Sequence, residues 1–466
     1  MTTKKKRISR RSGKLSRRGF ILSSSAIAGA TAFPHIWIPG RARASTSGFN
    51  SAKHYLHIRL SGGFRFPTCF NANVAQEFNP FGQASSVAEG TEWGVGSLLA
   101  DDGWLTPELE TAGLRSITSL TSDIAVLPSV DHEPLAGSAD GNHSTGLERF
   151  LTGYVGGETG LFTMINYGLK KRYEAASDSG DVILPAIIMG NPGMARGVGE
   201  YAAYRPPILR GDDLDQFAFG VEEVLDPWMR DLAQSYDLRF RDSQNLEHYG
   251  KVDGYIQSRE ATQAYADIFN SDILKIRNNS TDLHDGISNR RLEDLFGNDS
   301  TARNIRLAVR LFHFGCPAVY MDQGGYDMHS NEEGTLPGRI RSLSRLISAT
   351  HKVLHEMEHP DGGTYWDHTV VTFGSEFGRT ARGSKFNSAR GSDHGGDNAT
   401  RWMSMPMMGG PIKVLGQQLG ETRSSDLKAV GKVYSYRATM KTFMDMLGCE
   451  HDEFFPADDP FEDLFG

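Results

Sequence analysis

Cysteine is scarce in this sequence, and long apolar runs are almost absent. Only Cys69, Cys316 and Cys449 occur among 466 residues, so at most one bridge can form and a disulfide-framed domain is excluded. Buried thiols are the simpler interpretation for Cys316 and Cys449. After residue 44, no stretch is long and apolar enough to cross a bilayer. We therefore expect no stable membrane span in the processed protein.

Acidic residues are missing from the first 44 positions, which hold eleven lysines and arginines. A basic stretch, an apolar run from Phe20 to Ile38 and the small-residue site Ala42-Arg43-Ala44 follow in the order of a secretory signal. Arg17-Arg18 indicates the twin-arginine route. A transmembrane anchor is the alternative, but Ser, Gly and Pro interrupt the run. We predict a signal peptide over residues 1–44, a mature protein that begins near Ser45, and the twin-arginine translocation machinery as a partner.

Negative charge dominates the rest of the chain. The full sequence has a formal net charge of −8, and removing the eleven positive charges of the first 44 residues leaves −19. So acidic a surface argues against nucleic acid or an anionic membrane as the main partner. The predicted protein is exported and works in the periplasm, at the cell surface or outside the cell.

Alternating strand and helix patterns predict an α/β fold. In the last third of the chain, segments with helical spacing of apolar residues alternate with short strands, and a helix follows at the end. This order is typical of a parallel sheet covered by helices. We predict a doubly wound, mainly parallel sheet sandwiched by helices. The strand patterns lie at residues 56–60, 124–127, 183–189, 318–321 and 369–373, and the helical ones at 305–312, 340–357 and 436–447.

The predicted mature length fits one large domain or two smaller ones. A polar linker at residues 45–53 leads into an α/β domain at residues 54–466. Residues from about 212 to 295 are polar and helical in character, and we interpret them as a helical insertion or cap.

Several polar residues stand just beyond predicted strands, where open parallel sheets carry their functional groups. Asp327 and His329 follow a glycine pair and lie two positions apart, so in an extended loop they point the same way. Glu376 and Arg379 follow the next strand. Further on, glycines flank Asp393-His394 and let the backbone approach closely. Taken singly, each has an ordinary alternative, such as a surface His or a Glu–Arg surface pair.

Together these side chains predict a metal site. Their oxygen and nitrogen ligands, without a thiolate, suit zinc, manganese or iron better than a calcium cage. Glu376 is also a candidate general base, and Arg379 a candidate binder of an anionic substrate group. The predicted ligands are Asp327, His329, Glu376, Asp393 and His394.

At these motifs the chain resembles the secreted bacterial family known as domain of unknown function 1501, which is placed within the alkaline phosphatase and sulfatase superfamily. The resemblance rests on Gly324–His329, Ser375–Arg379 and Ser392–Gly395 in combination, supported by Gly62-Gly63 and Gly141-Asn142-His143. It implies a doubly wound α/β fold, metal ions held by Asp and His beyond the strand ends, and cleavage of phosphate or sulfate esters.

His143 is a second-rank candidate for the same cleft. It follows the predicted strand that ends near Val130, and capping of the next helix is the alternative.

The first loop departs from the family pattern. Arg65 stands where the family usually has Asp, which removes one expected metal ligand. The resemblance places the nucleophile in this region, where Thr68 or Cys69 is the substitute. Cys69 is followed by Phe70-Asn71-Ala72, so the sulfatase signature Cys-x-Pro-x-Arg is absent. Glu376-Phe377 likewise replaces the Asp-His pair of the wider superfamily.

Two functions stay open on the sequence alone. The first is an exported metal-dependent hydrolase of phosphate or sulfate esters, whose substrate is an anionic ester. The second is a catalytically degenerate member of the fold that binds a surface glycan or a partner at the cell surface. The ligand set favours the first, and the replaced Asp favours the second.

Overall fold

The computed structural model describes most of the chain beyond the predicted signal. The described residues are 52–131, 142–175, 184–190, 193, 195–216, 227–244, 268–278, 281, 283, 284, 286–381, 394 and 398–465. The predicted signal peptide, nearly all of the linker and the candidate ligand Asp393 lie outside them.

An eight-stranded, mainly parallel sheet forms the centre of the described structure, in the order β12-β2-β9-β8-β1-β7-β3-β4. Within that sheet β9 runs antiparallel to both of its neighbours, and two small antiparallel pairs, β5-β6 and β10-β11, stand apart from it. The strands are β1 (His54–Leu60), β2 (Ile124–Asp131), β3 (Ile187–Met189), β4 (Ile208–Leu209), β5 (Leu283–His284), β6 (Ile287–Ser288), β7 (Ala318–Gln323), β8 (Thr369–Gly374), β9 (Trp402–Met408), β10 (Glu421–Thr422), β11 (Ala429–Val430) and β12 (Tyr434–Ser435).

Helices cover both faces of this sheet. On one face Tyr55 packs against Phe162 and Phe443, and on the other His54 packs against Phe312. The described α-helices are α1 (Pro107–Thr111), α2 (His143–Thr152), α3 (Leu161–Ala175), α4 (Asp213–Gln216), α5 (Pro227–Asp242), α6 (Asn289–Phe296), α7 (Ser300–His313), α8 (Glu332–Glu356), α9 (Tyr365–His368) and α10 (Tyr436–Met446). The predicted α/β fold, with a mainly parallel sheet between helices, is confirmed.

Strand β1 lies at the middle of the sheet, between β7 and β8. Arg59 of β1 pairs in register with Asp322 of β7 on one side and with Gly374 of β8 on the other. The strands predicted at 318–321 and 369–373 are therefore parallel, with one strand between them. Since all three run in the same direction, the loops after β1, β7 and β8 leave the sheet at one edge.

The polar residues of β1 are buried with the apolar ones. All seven residues of the strand are buried, as expected where helices cover both faces of a parallel sheet. His57 and Arg59 therefore contribute to the interior and not to a solvated face.

Two elements differ from the sequence prediction. The strand predicted at 183–189 covers only 187–189 among the described residues. Pro185 has no N–H for a strand ladder, and the N–H of Ala186 donates to Asn166 Oδ1 at 2.8 Å. The methionine-rich strand β9 was not predicted, because its residues carry no alternating polar pattern.

The predicted insertion at 212–295 is helical in part. Its described residues contain α4, α5 and α6, and also the short hairpin β5-β6. No helix in the described part of the chain has both the length and the apolar character that crossing a membrane requires.

Candidate metal centre

The loops after β1 and β7 fit tightly together. Gly62 has φ +116°, and a Cβ at this position would lie 2.3 Å from the Asp327 backbone nitrogen. The Tyr326 N–H donates to the Ser61 carbonyl, and the buried Tyr326 hydroxyl donates to Gln323 Oε1 at 3.0 Å. The glycine turn of one loop thus allows the close approach that fixes Asp327 at the edge of the sheet.

Helix α2 presents His143 to the same edge. Asn142 caps the helix, since its Oδ1 accepts from the backbone N–H groups of Ser144 and Thr145. A Cβ on Gly146 would lie 2.9 Å from the Glu376 carbonyl oxygen, so the first turn of α2 packs directly on the loop after β8. Asn142, not His143, therefore performs the capping that was the alternative role of His143.

Four side chains converge at this edge. His143, Asp327, His329 and His394 each offer one ligand atom, and these atoms all lie within 4.8 Å of one another. Asp327 Oδ1 lies 2.9 Å from His329 Nε2, 3.4 Å from His143 Nε2 and 3.8 Å from His394 Nε2. The structure thus brings together four residues from three separate parts of the chain.

The donor atoms of this cluster fit a metal ion better than they fit each other. His143 Nε2 is sealed from solvent and has no hydrogen-bond partner among the described residues. His329 Nε2 and His394 Nε2 face each other at 2.8 Å. Three imidazoles and a carboxylate around one point suit zinc, manganese or iron.

Glu376 lies behind the cluster and holds His143. Its Oε1 accepts from the Gly62 N–H at 2.8 Å and lies 3.3 Å from His143 Nδ1. The hydrogen bond to Glu376 raises the pKa of His143 against partial burial. Burial favours the protonated Glu376, but His143, Arg59 and the Gly62 amide outweigh it and lower the pKa of this carboxyl. A carboxylate behind a ligating imidazole orients the ring and raises its basicity.

Arg379 holds the carboxylate of Asp327 in place. Its buried guanidinium donates from Nε to the carbonyls of Gly62 and Tyr326, and its Nη2 pairs with Asp327 Oδ1. Partial burial raises the pKa of Asp327, but Arg379 and the three histidines lower it more, so the net shift is downward. Asp327 is therefore ionised and ready to bind a cation.

Comparison with known proteins adds the family. The model of the family described as protein of unknown function DUF1501 matches residues 111–462. The chain belongs to this family. No curated protein matches the sequence.

Solved structures similar to this member of the DUF1501 family are distant. The lipoteichoic acid synthase LtaP from Listeria monocytogenes is 9% identical, with 92% of this chain and 79% of that chain covered and a TM-score of 0.35. Ps i-CgsB, solved in complex with k-i-k-neocarrahexaose, is 10% identical over 87% and 74%, with a TM-score of 0.34. The soluble domain of lipooligosaccharide phosphoethanolamine transferase A from Neisseria meningitidis is 11% identical over 90% and 97%, with a TM-score of 0.28.

The predicted nucleophiles of this DUF1501 member lie inside the protein. Thr68 is fully buried, and its hydroxyl donates to the Arg65 carbonyl at 2.7 Å. Burial raises the pKa of the adjacent Cys69 thiol to about 12. Neither belongs to the cluster of ligand atoms, so the nucleophilic role of Thr68 stays a prediction.

Arg65, which stands where the family usually has Asp, forms a buried ion pair. Its Nε and Nη2 donate to the two carboxylate oxygens of Glu332 at 3.0 and 2.5 Å. Glu332 opens helix α8, so this pair ties the first loop to the helix that follows β7. The position offers a fork-shaped cation where the resemblance led us to expect a metal ligand.

The remaining predicted residues divide between ligand and support. Asp327, His329 and His394 lie in the cluster with the second-rank candidate His143, whereas Glu376 and Arg379 lie behind it. Sequence reasoning missed the partner of Arg65, because no local pattern marks Glu332 as buried. It also did not assign a role to Arg59, whose alternation with apolar residues in β1 was the available signal.

Proposed function

We propose that this protein is an exported, metal-dependent hydrolase of phosphate or sulfate esters. The observation that carries the proposal is the convergence of His143, Asp327, His329 and His394 on one point. These residues would hold one divalent ion, and the ion would supply Lewis-acid polarisation of the ester oxygens. The family resemblance of the loops supports an ester of phosphate or sulfate as the substrate class.

The surrounding residues have defined tasks in this proposal. Glu376 holds the imidazole of His143 through Nδ1, which leaves Nε2 for the ion. Arg379 holds Asp327 and keeps it ionised. Glu376, whose carboxyl pKa is lowered and which lies directly behind the cluster, is the candidate general base of the reaction.

Metal analysis of the purified exported protein tests the centre first. We expect about one zinc, manganese or iron ion per chain, since four ligand atoms around one point make one site. Hydrolysis of a simple aryl phosphate and a simple aryl sulfate then tests the reaction. Asp327→Asn should remove both the metal and the activity, whereas Arg401→Lys, at a buried Asp131 ion pair of β2, should retain both.

A protein that binds no metal would favour the second function, a degenerate member that binds a glycan or a partner. The buried Arg65–Glu332 pair is the observation on that side, because it replaces an expected ligand. A metal-bound protein without activity on either ester would limit the proposal to binding of the ion.

Export by the twin-arginine route is tested separately. Replacing Arg17 and Arg18 with lysine should abolish export, because the receptor of this route reads the arginine pair. Amino-terminal sequencing of the exported wild-type protein should begin near Ser45. An exported chain that still carries the arginine pair would contradict the predicted cleavage.

A further inference from the structure

Arg59 occupies an unusual position at the carboxyl end of β1. Its Nε donates to Asp322 Oδ1 at 2.8 Å, and its Nη2 donates to Asp322 Oδ2 at 3.3 Å and to Ser61 Oγ at 2.8 Å. Asp322 is held in turn by the Tyr320 hydroxyl, which donates to Oδ1 at 2.6 Å. The guanidinium is thus fixed in orientation inside the protein, with 6% of its side chain exposed.

Not all of the N–H donors of Arg59 make hydrogen bonds to described residues. A guanidinium has five N–H donors, and these contacts use the Nε hydrogen and both hydrogens of Nη2. Among the described residues Nη1 makes no hydrogen bond, yet it is not one of the unpartnered atoms sealed from solvent. A buried, rigid cation therefore keeps two donors directed at space that solvent reaches.

Arg59 lies at the same edge of the sheet as the candidate metal centre, in register with the ends of β7 and β8. Arg59 is two residues beyond His57 on the same face of β1, and His57 packs against Phe150 of α2 with ring centroids 5.0 Å apart. Helix α2 begins at His143, so its amino end lies over the same end of the strand. Arg59 is also among the charges that lower the pKa of Glu376, the residue that holds His143.

We propose that Arg59 Nη1 binds a non-bridging oxygen of a tetrahedral oxyanion, the phosphate or sulfate group of the ester, next to the metal centre. The inference rests on the proposed function and adds a substrate-binding residue to it. Asp322 acts as a positioning residue, because it holds the guanidinium with Nη1 turned away from the ion pair. A cation of this kind selects a doubly or singly charged ester over a neutral one.

A second buried pair in the same protein provides a matched control. Arg437 donates from Nε to Asp458 Oδ2 at 2.9 Å, and its side chain is 8% exposed. Its Nη1 donates to the Gly153 carbonyl at 3.4 Å, at the other end of α2. Arg437 therefore shares the burial and the carboxylate partner of Arg59, but its Nη1 has a protein acceptor.

The experiment measures binding of inorganic phosphate and of inorganic sulfate to the metal-loaded exported protein by isothermal titration calorimetry. Arg59→Lys keeps the charge beside Asp322 but removes the Nη1 donors. We expect it to weaken binding of the preferred anion by about tenfold or more, the usual effect of losing charge-assisted hydrogen bonds. Arg437→Lys should change this affinity less than about twofold, as for a residue outside the site.

Two further arms keep the result interpretable. If Arg59→Lys does not fold, the double variant Arg59→Gln with Asp322→Asn replaces it, because it removes both buried charges at once. This double variant should show the same loss of anion affinity. If the wild-type protein binds phosphate more tightly than sulfate, the substrate is assigned as a phosphate ester. The reverse order of affinities assigns a sulfate ester.

Unchanged anion affinity in a folded Arg59 variant would overturn the inference, as would a metal-loaded wild type that binds neither anion. Failure of the proposed function gives a different pattern. If the wild type binds no metal but its anion binding still depends on Arg59, the anion site stands and the metal centre does not.

Discussion

Two histidine clusters lie at opposite ends of β1. At its amino end His54 Nε2 lies 3.2 Å from His359 Nε2, and His368 stacks on His359 with ring centroids 3.9 Å apart. At its carboxyl end His329 Nε2 lies 2.8 Å from His394 Nε2. Both ends therefore bring two imidazole nitrogens into contact.

The amino-end cluster is a closed hydrogen-bond chain. His54 Nδ1 lies 2.8 Å from the Cys316 carbonyl, to which it must donate. His359 Nδ1 accepts from the Asp361 N–H at 3.1 Å, so its Nε2 carries the proton and donates to His54 Nε2. One tautomer of each neutral ring satisfies these contacts.

The carboxyl-end cluster combines imidazoles with a carboxylate and with access from solvent. Asp327 lies within 4 Å of all three imidazoles, and its side chain and that of His329 are about half exposed. A carboxylate partner and access from solvent distinguish a candidate metal site from a neutral structural pair. Proximity of imidazoles alone does not make that distinction.

The largest expected effects come from one substitution in each histidine cluster. Asp327→Asn should lower metal affinity by about 100-fold or more, beyond the loss typical of outer residues. Its effect on stability should be confined to the lost ion pair with Arg379, because a loop ligand packs little core. His359→Gln should do the reverse and lower the free energy of unfolding by about 1–3 kcal/mol. Metal titration and urea unfolding of both variants measure this. Equal metal affinities would remove the distinction between the two clusters.

A smaller effect is expected from the residue behind the metal cluster. Glu376→Gln should reduce metal affinity by about tenfold, since a second carboxylate no longer orients His143. It should also lower the pKa of His143, because the hydrogen bond to Glu376 is the main cause of its raised value. Metal titration and NMR titration of the metal-free protein measure the two quantities. Glu356→Gln is the control, since this carboxyl pairs with Arg291 and is not part of the cluster; a similar loss there would contradict the role of Glu376.

The interior histidines of β1 predict the dependence of stability on pH. Burial lowers the pKa of His54 to about 3 and that of His57 to about 3, from 6.5. As pH falls, both histidines are protonated in the unfolded chain before they are protonated in the folded protein. Their contribution to the free energy of unfolding is therefore complete above pH 6.5 and declines as pH falls toward 3. The expected slope is about 1.4 kcal/mol per pH unit for each histidine.

Urea unfolding of the metal-free protein between pH 5.5 and 4 measures this slope, because there the unfolded chain carries the two protons and the folded protein does not. His54→Asn should reduce it by about 1.4 kcal/mol per pH unit relative to the wild type, while titration of the other groups cancels in the difference. Identical slopes for the two proteins would show that His54 is protonated in the folded state.

Local patterns allowed prediction of the frame and of three cluster members. The β-branched run at 369–373 and the helical spacing at 340–357 fixed β8 and α8, because each depends on periodicity within one segment. Asp327, His329 and His394 were predicted because glycine-rich loops after strands carry functional groups. Partners distant in sequence were not predicted, since Arg65 and Glu332 are 267 positions apart and meet only in the folded protein.

The sequence by itself determined a mainly parallel α/β sheet and a set of Asp, Glu and His residues in the loops that leave its carboxyl edge. Hydrophobic period and glycine placement are local properties, so they are readable one segment at a time. Only the tertiary structure decided that His143 joins the cluster while Glu376 lies behind it, and that Arg65 turns toward Glu332. The first choice depends on how α2 packs on the loop after β8, and the second on how the loop after β1 meets α8. Packing between distant segments has no local signature.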